Sequence, residues 1–509
     1  LEIKFALTGE QFERIKALPA LRGLAAGEPV QQSLRSIYFD TPDCSLHQHG
    51  YALRLRQVGK VWLQTVKADA GVHGGVSNPV EIETEAKGRR VQLDLISDSN
   101  VRRDLRRLIG NQPPVPVFET IIERTVQPLA TAGGCEFELA LDKGIVKAGR
   151  RSLEICEAEL ELKHGTAEDL YQVVTQLFAG ESLTPSGQNK SELGYRLRGR
   201  TPEIGPVPRK ARLPLLHRKD ACAFAVEQIC RAAVGQILHN WQVVLASDDP
   251  EGPHQMRIGI RRLRSALAVF RPLLKKKLLR DLEQQLRELA RLIGELRDVD
   301  VMQADIVGPL DGRNGKSPDL APLRELLETR RAAVRARVRQ DLAGPGPTTL
   351  QVRLALLPSV LADPAGGKRR AALRVPVTRL AAAALQKRWQ KVANRARHLE
   401  ELSDEERHAL RKDLKTLRYT AEFFAPLFAA GKVRKFIAEL QHLQELFGYL
   451  NDVVMAGRLA ELTGPKSESV GLREAVGYVM GWHSAHAEDA WRDARTRWRE
   501  LKKARRFWQ

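Results

Sequence analysis

Over the first 200 residues, apolar and polar positions alternate with a period of two. Segments 52–56, 80–85, 135–142 and 156–163 keep this alternation between Gly, Pro and Asn punctuation, the pattern of β-strands. Helical periodicity is confined there to 8–18, 100–109 and 166–179. From residue 217 the period becomes 3.6 and the composition turns to Ala, Leu, Arg and Glu, with breaks at 308–318, 344–347 and 363–367 between long helices. Between the two regimes, residues 199–214 hold four prolines, the composition of a stiff linker. The expected architecture is a multidomain β + α chain, with a β-rich domain over 1–200, a Pro-rich linker over 201–214 and an all-α domain over 215–509.

The helical part repeats itself. His254-x-x-Arg257-x-x-x-Arg261-x-x-Arg264 recurs as His408-x-x-Arg411-x-x-x-Lys415-x-x-Arg418, an offset of 154. The same offset carries Phe270 and Pro272 onto Phe424 and Pro426, Leu286 and Leu289 onto Leu440 and Leu443, and Gly294 and Asp298 onto Gly448 and Asp452. Each copy reads as a helical bundle, and the pair as a pseudo-two-fold arrangement.

At 509 residues the chain is too long for one core, and 43% hydrophobic with 28% charged residues describes a folded chain. No run of 18 apolar residues exists to span a membrane, and the charged, alternating opening Leu1–Phe5 shows no signal peptide. Cys44, Cys135, Cys156, Cys222 and Cys230 are odd in number and scattered, arguing against a disulfide framework or zinc site and for a cytoplasmic location. The net charge of +20 is localised: residues 1–200 carry 26 basic and 26 acidic side chains, so the whole excess lies in 201–509. Such a concentrated positive field attracts polyanions.

Residues two apart on a strand share a face. Glu157, Glu159, Glu161 and Lys163 therefore lie opposite Ala158, Leu160 and Leu162, and Glu136, Glu138 and Asp142, Arg54 and Arg56, Glu81 and Glu83, and Glu2 and Lys4 each share a face. One such strand is most simply half-solvated. Five of them, mixing carboxylates and cations, suit a closed barrel with a charged interior. Such an interior could bind a metal-bridged polyphosphate, since carboxylates hold Mg²⁺ or Mn²⁺ while Arg and Lys neutralise phosphate oxygens. No GxxxxGK[ST] occurs, and Gly71-Val-His-Gly-Gly has no strand–helix context, which excludes P-loop chemistry.

These residues resemble the CYTH domain, the triphosphate tunnel metalloenzymes. Glu2-Ile3-Lys4 is similar to the end of the ExExK signature, followed in order by Tyr38-Phe39-Asp40-Thr41-Pro42, Gly50-x-x-Leu53-Arg54-x-Arg56, Gln64-Thr65-x-Lys67, Glu81-x-Glu83 and Arg124. Glu138-x-x-x-Asp142, Glu157-x-Glu159-x-Glu161 and Lys190-Ser191-x-x-Gly194-Tyr195 complete the likeness over about 1–198. The resemblance implies an eight-stranded antiparallel β tunnel that hydrolyses triphosphates with a divalent metal. It assigns Lys4, Arg54, Arg56, Lys67, Arg124 and Lys190 to the phosphates. Glu2, Glu81, Glu83, Asp142, Glu157, Glu159 and Glu161 become metal ligands or water-orienting groups; Glu2 is also counted with the catalytic set. ExExK needs another Glu two residues before Glu2, upstream of Leu1. Either that residue lies outside this numbering or a ligand is missing, which would leave phosphate binding without catalysis.

In the helical part, positions 254, 257, 261 and 264 share a narrow face, as do 408, 411, 415 and 418. A single basic stripe is usually a solvated face. This one recurs while other exposed positions diverge (Arg271 against Ala425, Lys277 against Gly431), which argues for function. Single-strand nucleic-acid binders interleave aromatics with such stripes, but here Tyr419 stands alone beside the second stripe, so nucleic acid is disfavoured. Neither His254 nor His408 has a second ligand at i+3 or i+4, which points to hydrogen bonding or phosphate contact rather than metal ligation. Asp298 and Asp452 either pin the stripe arginines or cap helices. His47 and His49 read as loop residues, and His483 with His486 as surface residues. The stripes, with Leu296-Arg-Asp298 and Leu450-Asn-Asp452, resemble the CHAD domain over about 217–505. That resemblance implies two four-helix bundles that bind long-chain inorganic polyphosphate, often at polyphosphate granules. The combined reading is a metal-dependent inorganic triphosphatase fused to a polyphosphate-binding module. The alternatives are a catalytically silent polyphosphate-binding protein, a CYTH enzyme acting on nucleotides or organic triphosphates, and an RNA-binding helical half.

Overall fold

The computed structural model describes residues 1–509 except 69–75, 78–79, 182, 200–204, 275, 311–317, 363–370 and 464–469. The break expected at 363–367 and the segment Gly71–Gly75 fall outside the described residues, as do parts of the 308–318 break and of the linker. The chain forms two compact units. One comprises Leu1–Pro206 with Ala343–Asp363, the other Val207–Leu342 with Pro364–Gln509.

The first unit is built on an antiparallel sheet. Its strands are β1 (Glu2–Ala6), β2 (Val30–Asp40), β3 (Tyr51–Val58), β4 (Val61–Ala68), β5 (Val76–Ser77), β6 (Val80–Ala86), β7 (Val115–Ala130), β8 (Glu136–Ala148), β9 (Arg151–His164) and β10 (Thr184–Pro185). Eight of these are long enough to be the expected eight strands, but the sheet is ten-stranded. Its path, β10-β1-β9-β8-β7-β2-β3-β4-β6 with β5 pairing β1, is open: among the described residues no ladder joins β6 to β1 or β10, so the expected closed tunnel is not completed by strand pairing. The two extra strands are two-residue segments that satisfy the backbone of β1 beyond its ladder to β9. The apolar alternation holds: Ile3, Phe5, Leu53, Leu55, Ala158 and Leu160 are fully or almost fully buried. Helices α1 (Gly9–Lys16), α2 (Pro19–Leu24), α3 (Ser45–Gln48), α4 (Ser99–Ile109), α5 (Ala167–Leu177) and α6 (Lys190–Arg198) belong to this unit. Capping boxes start three of them, at Thr8–Gln11, Thr166–Asp169 and Asn189–Glu192, each pairing orphan backbone donors with side chains.

The remaining long helices are α7 (Cys222–Ala246), α8 (Glu251–Phe270), α9 (Lys276–Val301), α10 (Ala321–Leu342), α11 (Pro345–Ala362), α12 (Val377–Arg395), α13 (Asp404–Phe424), α14 (Ala430–Gly457) and α16 (Val470–Lys503), with the short α15 (Leu459–Thr463). Helices α7, α8, α9 and α10 recur as α12, α13, α14 and α16, each member of a pair displaced by about the sequence offset. Helix α11, which the 3.6-residue period placed with the helical half, packs instead on α5 and β10 of the first unit.

The two copies are not separate bundles. One core is confined to the second copy, around Trp389, Phe436 and Trp498. Another joins Met302, Ile306, Leu323 and Leu327 of the first copy to Met455, Ala475, Val476 and Val479 of the second. The chain turns from α9 through a π-helical segment, Met302–Val307, that buries its apolar side chains in this shared core. His483, expected at the surface, is 1% exposed and hydrogen-bonded to the Ile306 carbonyl at 2.9 Å across that core, whereas His486 is exposed.

Candidate functional site

The charged faces of the strands line a cavity of about 380 Å³ within the first unit. Strand register decides who meets whom. β1 pairs β9 with Lys4 opposite Glu159 and Glu2 opposite Glu161. β9 pairs β8 with Glu157 opposite Asp142 and Glu161 opposite Glu138, and β8 sets Asp142 opposite Arg124 of β7. On the other side Tyr38 is opposite Arg54, and Lys67 opposite Glu81. Every residue assigned from the sequence to phosphate or metal lines the cavity except Asp142 and Glu157, which contact Lys190 at its wall; Glu136, expected on the same charged face as Glu138, is exposed and does not line it.

One wall is densely ion-paired. Lys190 Nζ lies 2.8 Å from Asp142, 2.6 Å from Glu157 and 2.8 Å from Glu159. Arg124 forks onto Asp142 at 2.7 and 2.6 Å and reaches Glu159 at 2.8 Å. Lys4 lies 3.0 Å from Glu159 and 3.3 Å from Glu2. Burial alone would discharge these groups, but the pairing outweighs it. Glu159 raises the ammonium of Lys4, and Glu159 with Asp142 drives Lys190 well above the ordinary lysine value. Against the same burial, Lys190 and Lys4 hold Glu159 well below the usual carboxylate range.

The opposite corner is short of anions. Arg54 and Lys67 share Glu81, at 3.1 and 2.9 Å. Among the described residues no carboxylate lies within salt-bridge distance of Arg56, whose Nε donates to Ser36 Oγ at 3.3 Å. Burial, reinforced by Arg54, pushes Arg56 down to about 10 and also lowers Lys67. Burial would raise the Tyr38 phenol, yet Arg54 and Arg56 pull it down. The Arg54 Nε is buried without a hydrogen-bond partner. Three cations around one carboxylate form a corner that an anion would complete.

Lys190 reaches the carboxylates because α6 is placed tightly. Gly194 packs where a Cβ would stand 2.2 Å from the Phe118 ring, so no larger residue fits without displacing the helix. Tyr195 donates to Asp40 at 2.6 Å, and fully buried Asp40 also accepts from the backbone of Thr41, Leu46 and His47 at 2.7, 2.9 and 3.0 Å. His47, in the short helix α3 rather than a loop, stacks on Tyr195 at 3.9 Å. Two motifs distant in sequence thus lock one helix whose first residue is Lys190. A cation at a helix N-terminus is unfavourable, and here three carboxylates offset it.

Hard oxygen donors suit a divalent cation. Asp142, Glu157 and Glu159 present oxygens within 4.8 Å of one another, but Lys190 already spans all three. The adjacent rung offers Glu2, Glu138 and Glu161 on three neighbouring strands, with Lys163 at 2.7 Å from Glu161 and 3.7 Å from Glu138. Glu83 is engaged by Thr65 at 3.0 Å. Tyr38, Glu138, Lys163 and Asn189 also line the cavity; the first three stood in the expected motifs or charged faces without a ligand role, and Asn189 was not named from the sequence. Strand phase already set Glu138 on the face of Asp142; what it did not disclose is that Glu138 stands opposite Glu161 across the ladder.

In the second unit the two basic stripes meet, because α8 packs on α13. Arg257 binds Asp298 at 2.9 Å and lies against Gly294; in the second copy Arg411 lies against Gly448, within the field of Asp452. Asp298 therefore pins a stripe arginine rather than capping a helix. Arg418 binds Glu422 at 3.2 Å, and Arg262 pairs with the same carboxylate. Arg418 and Arg262 lie 5.1 and 5.5 Å from the Tyr419 ring. Arg261, Arg411 and Lys415 are half-buried, with no carboxylate within salt-bridge distance among the described residues. Burial lowers all three, and neighbouring cations lower them further. The stripe ends differ: Arg264 and His408 are exposed, His408 sharing a 3.2 Å hydrogen bond with Asn451, while His254 is half-buried.

Residues 1–195 match the CYTH domain and residues 228–461 the CHAD domain. An uncharacterised protein of Mycobacterium tuberculosis is 27% identical over 315 residues, 56% of this chain and 55% of that protein. The inorganic triphosphatase of Haemophilus influenzae is 29% identical over 170 residues, 32% of this chain and 46% of that protein. The chain thus spans about half the length of these curated relatives. The crystal structure of the CHAD domain from the plant Ricinus communis is similar at 27% identity with a TM-score of 0.51, covering 59% of this chain and 98% of that one. Among the described residues no helix is long and apolar enough to cross a membrane.

Proposed function

This chain joins a CYTH domain to a CHAD domain, and we propose that it hydrolyses inorganic triphosphate in the β cavity while its helical unit grips long-chain inorganic polyphosphate. The observation that carries the first half is the anion-deficient corner of Arg54, Arg56 and Lys67 facing a wall of carboxylates across one cavity. Arg54, Arg56 and Lys67 take phosphate oxygens and regain the charge partners they lack. Lys4, Arg124 and Lys190, held by Glu159 and its neighbours, keep fixed positions and need no reorganisation as negative charge shifts during reaction. Glu2, Glu138 and Glu161 would hold Mg²⁺ or Mn²⁺, which when bound screens the phosphate charge and makes water a better nucleophile. Water oxygen bonds to a terminal phosphorus, the bridging P–O bond breaks, and orthophosphate and diphosphate leave.

The facing basic stripes carry the second half, since they offer paired cations without base-stacking aromatics. They would bring the enzyme to polymer, including polyphosphate granules.

Phosphate release from tripolyphosphate by the full chain, with Mg²⁺, Mn²⁺ or chelator, tests the activity. Metal-dependent release that exceeds turnover of ATP and thiamine triphosphate supports it. Preference for either organic triphosphate moves the substrate, and no release with any metal leaves a binding protein. Retention on immobilised polyphosphate, lost in an Arg257→Ala/Arg411→Ala variant, tests the helical half without the truncation that would remove α11 from the first unit.

A further inference from the structure

The second stripe departs from the first at one informative position: the 154-residue offset carries Arg261 onto Lys415. A guanidinium cannot give up its proton near neutrality, whereas an ammonium can when burial and like charges press on it. Lys415 stands where that pressure is concentrated. From α8, Arg257 and Arg261 face it, and on its own helix Arg411 and Arg418 flank it. From α14, Asp452 lies within its field, beside Asp305 of the π-helical segment. On the side of α12, Lys391 and Arg395 are turned to Asp413, at 2.7 and 2.9 Å. Among the described residues no carboxylate lies within salt-bridge distance of Lys415. Asp298 pairs with Arg257 and Glu422 with Arg418, but no carboxylate lies within salt-bridge distance of Arg261 or Arg411 among the described residues, and the Nε atoms of Arg411 and Arg418 are buried without hydrogen-bond partners.

We propose that polyphosphate binding by the helical unit is coupled to proton uptake, with Lys415 uncharged in the free protein and protonated by solvent when a phosphate chain settles between the stripes. The inference rests on the polyphosphate-binding reading above and adds its regulation by pH. Burial first, then Arg261 and Arg411, push Lys415 down to about 6. An anion laid between the stripes cancels the repulsion and returns the amine to its charged form. Asp452, pushed up to about 6 mainly by burial, is ionised above that pH and does not substitute for the anion. Affinity then falls as pH rises from neutrality, by up to about tenfold per pH unit for one proton.

Titration calorimetry of the full chain with sodium polyphosphate of defined length, at pH 7.5 in two buffers of different ionisation enthalpy, counts the protons. Wild type is expected to take up roughly one proton more than Lys415→Arg, whose charge is permanent, and the affinity of that variant should vary less between pH 7 and 9. Lys415→Gln, permanently neutral, should lose the same proton uptake and serves where the arginine variant does not fold. Equal proton uptake by wild type and both variants, with binding intact, overturns the inference and leaves the polyphosphate reading standing. Absence of binding by wild type sinks both.

Discussion

In the β unit, Lys190 contacts three carboxylates at 2.6–2.8 Å; in the helical unit, Lys415 lies within the electrostatic field of four guanidinium groups. Both are lysines largely removed from water, and their protons are held in opposite senses. Lys190 is driven well above the ordinary value and Lys415 down to about 6. Burial lowers both, so the difference comes entirely from neighbours. The cavity wall carries its own counterions and is preorganised before any ligand arrives. The stripe interface pairs Arg257 with Asp298 and Arg418 with Glu422, but among the described residues it sets no carboxylate within salt-bridge distance of Arg261, Arg411 or Lys415.

The largest expected effect tests the paired side. Glu159→Gln removes the carboxylate shared by Lys4, Arg124 and Lys190 while keeping the shape. It should destabilise the β unit by about 3–5 kcal/mol, as breaking a buried ion network does, measured by urea unfolding followed by circular dichroism. A loss under about 1 kcal/mol would mean the network is solvated and the contrast between the units is wrong.

Arg56→Ala addresses the anion-deficient corner. Because Arg56 has no carboxylate partner to orphan, tripolyphosphate turnover should fall about a hundredfold with little change in the melting temperature. Steady-state kinetics beside a thermal melt separates this from a structural effect.

Stability against pH sets the two lysines against each other. A lowered lysine means that the unfolded chain binds more protons between the two values. The helical unit should therefore gain stability as pH rises from about 6 towards the unfolded lysine value of about 10.4. Lys190 is raised, so its contribution is already complete below about 10.4 and is lost only above it. The depressed Glu159 contributes fully above about 4.3 and loses its effect as pH falls below that. Between pH 7 and 9 one proton corresponds to about 2.7 kcal/mol, so the helical unit should melt about 5–10 °C higher, a larger rise than in the β unit. Tryptophan fluorescence follows the helical unit, since Trp62 is the one tryptophan among the seven that lies in the first unit. Parallel shifts in both units would erase the distinction.

The smallest effect concerns the lock on α6. Tyr195→Phe removes the 2.6 Å bond to Asp40, costing about 1 kcal/mol and, by loosening Lys190, raising KM for tripolyphosphate more than it lowers kcat. An unchanged KM would separate the lock from the site.

Much of the β unit was legible because strand parity is local. The alternation along 156–163 places Glu157, Glu159 and Glu161 on one face whatever lies across from them. The pairing of Lys4 with Glu159, or the insertion of Lys190 among carboxylates more than 30 residues away, depends on register and on a helix docking through Gly194. Neither leaves a local pattern. Helix α11 illustrates the same limit, for its 3.6-residue period says helix and nothing about which core it joins. His483 was misplaced because one polar residue on a long helix does not disclose the partner helices that enclose it.

Composition and periodicity by themselves determined the change from strands to helices, the localisation of the basic excess and the 154-residue repeat, since each is a property of neighbouring residues or of self-similarity. Only the tertiary structure decided that one set of buried cations meets carboxylates and the other meets cations. Charge interactions depend on distance and on the removal of water, and both arise where segments remote in sequence pack together.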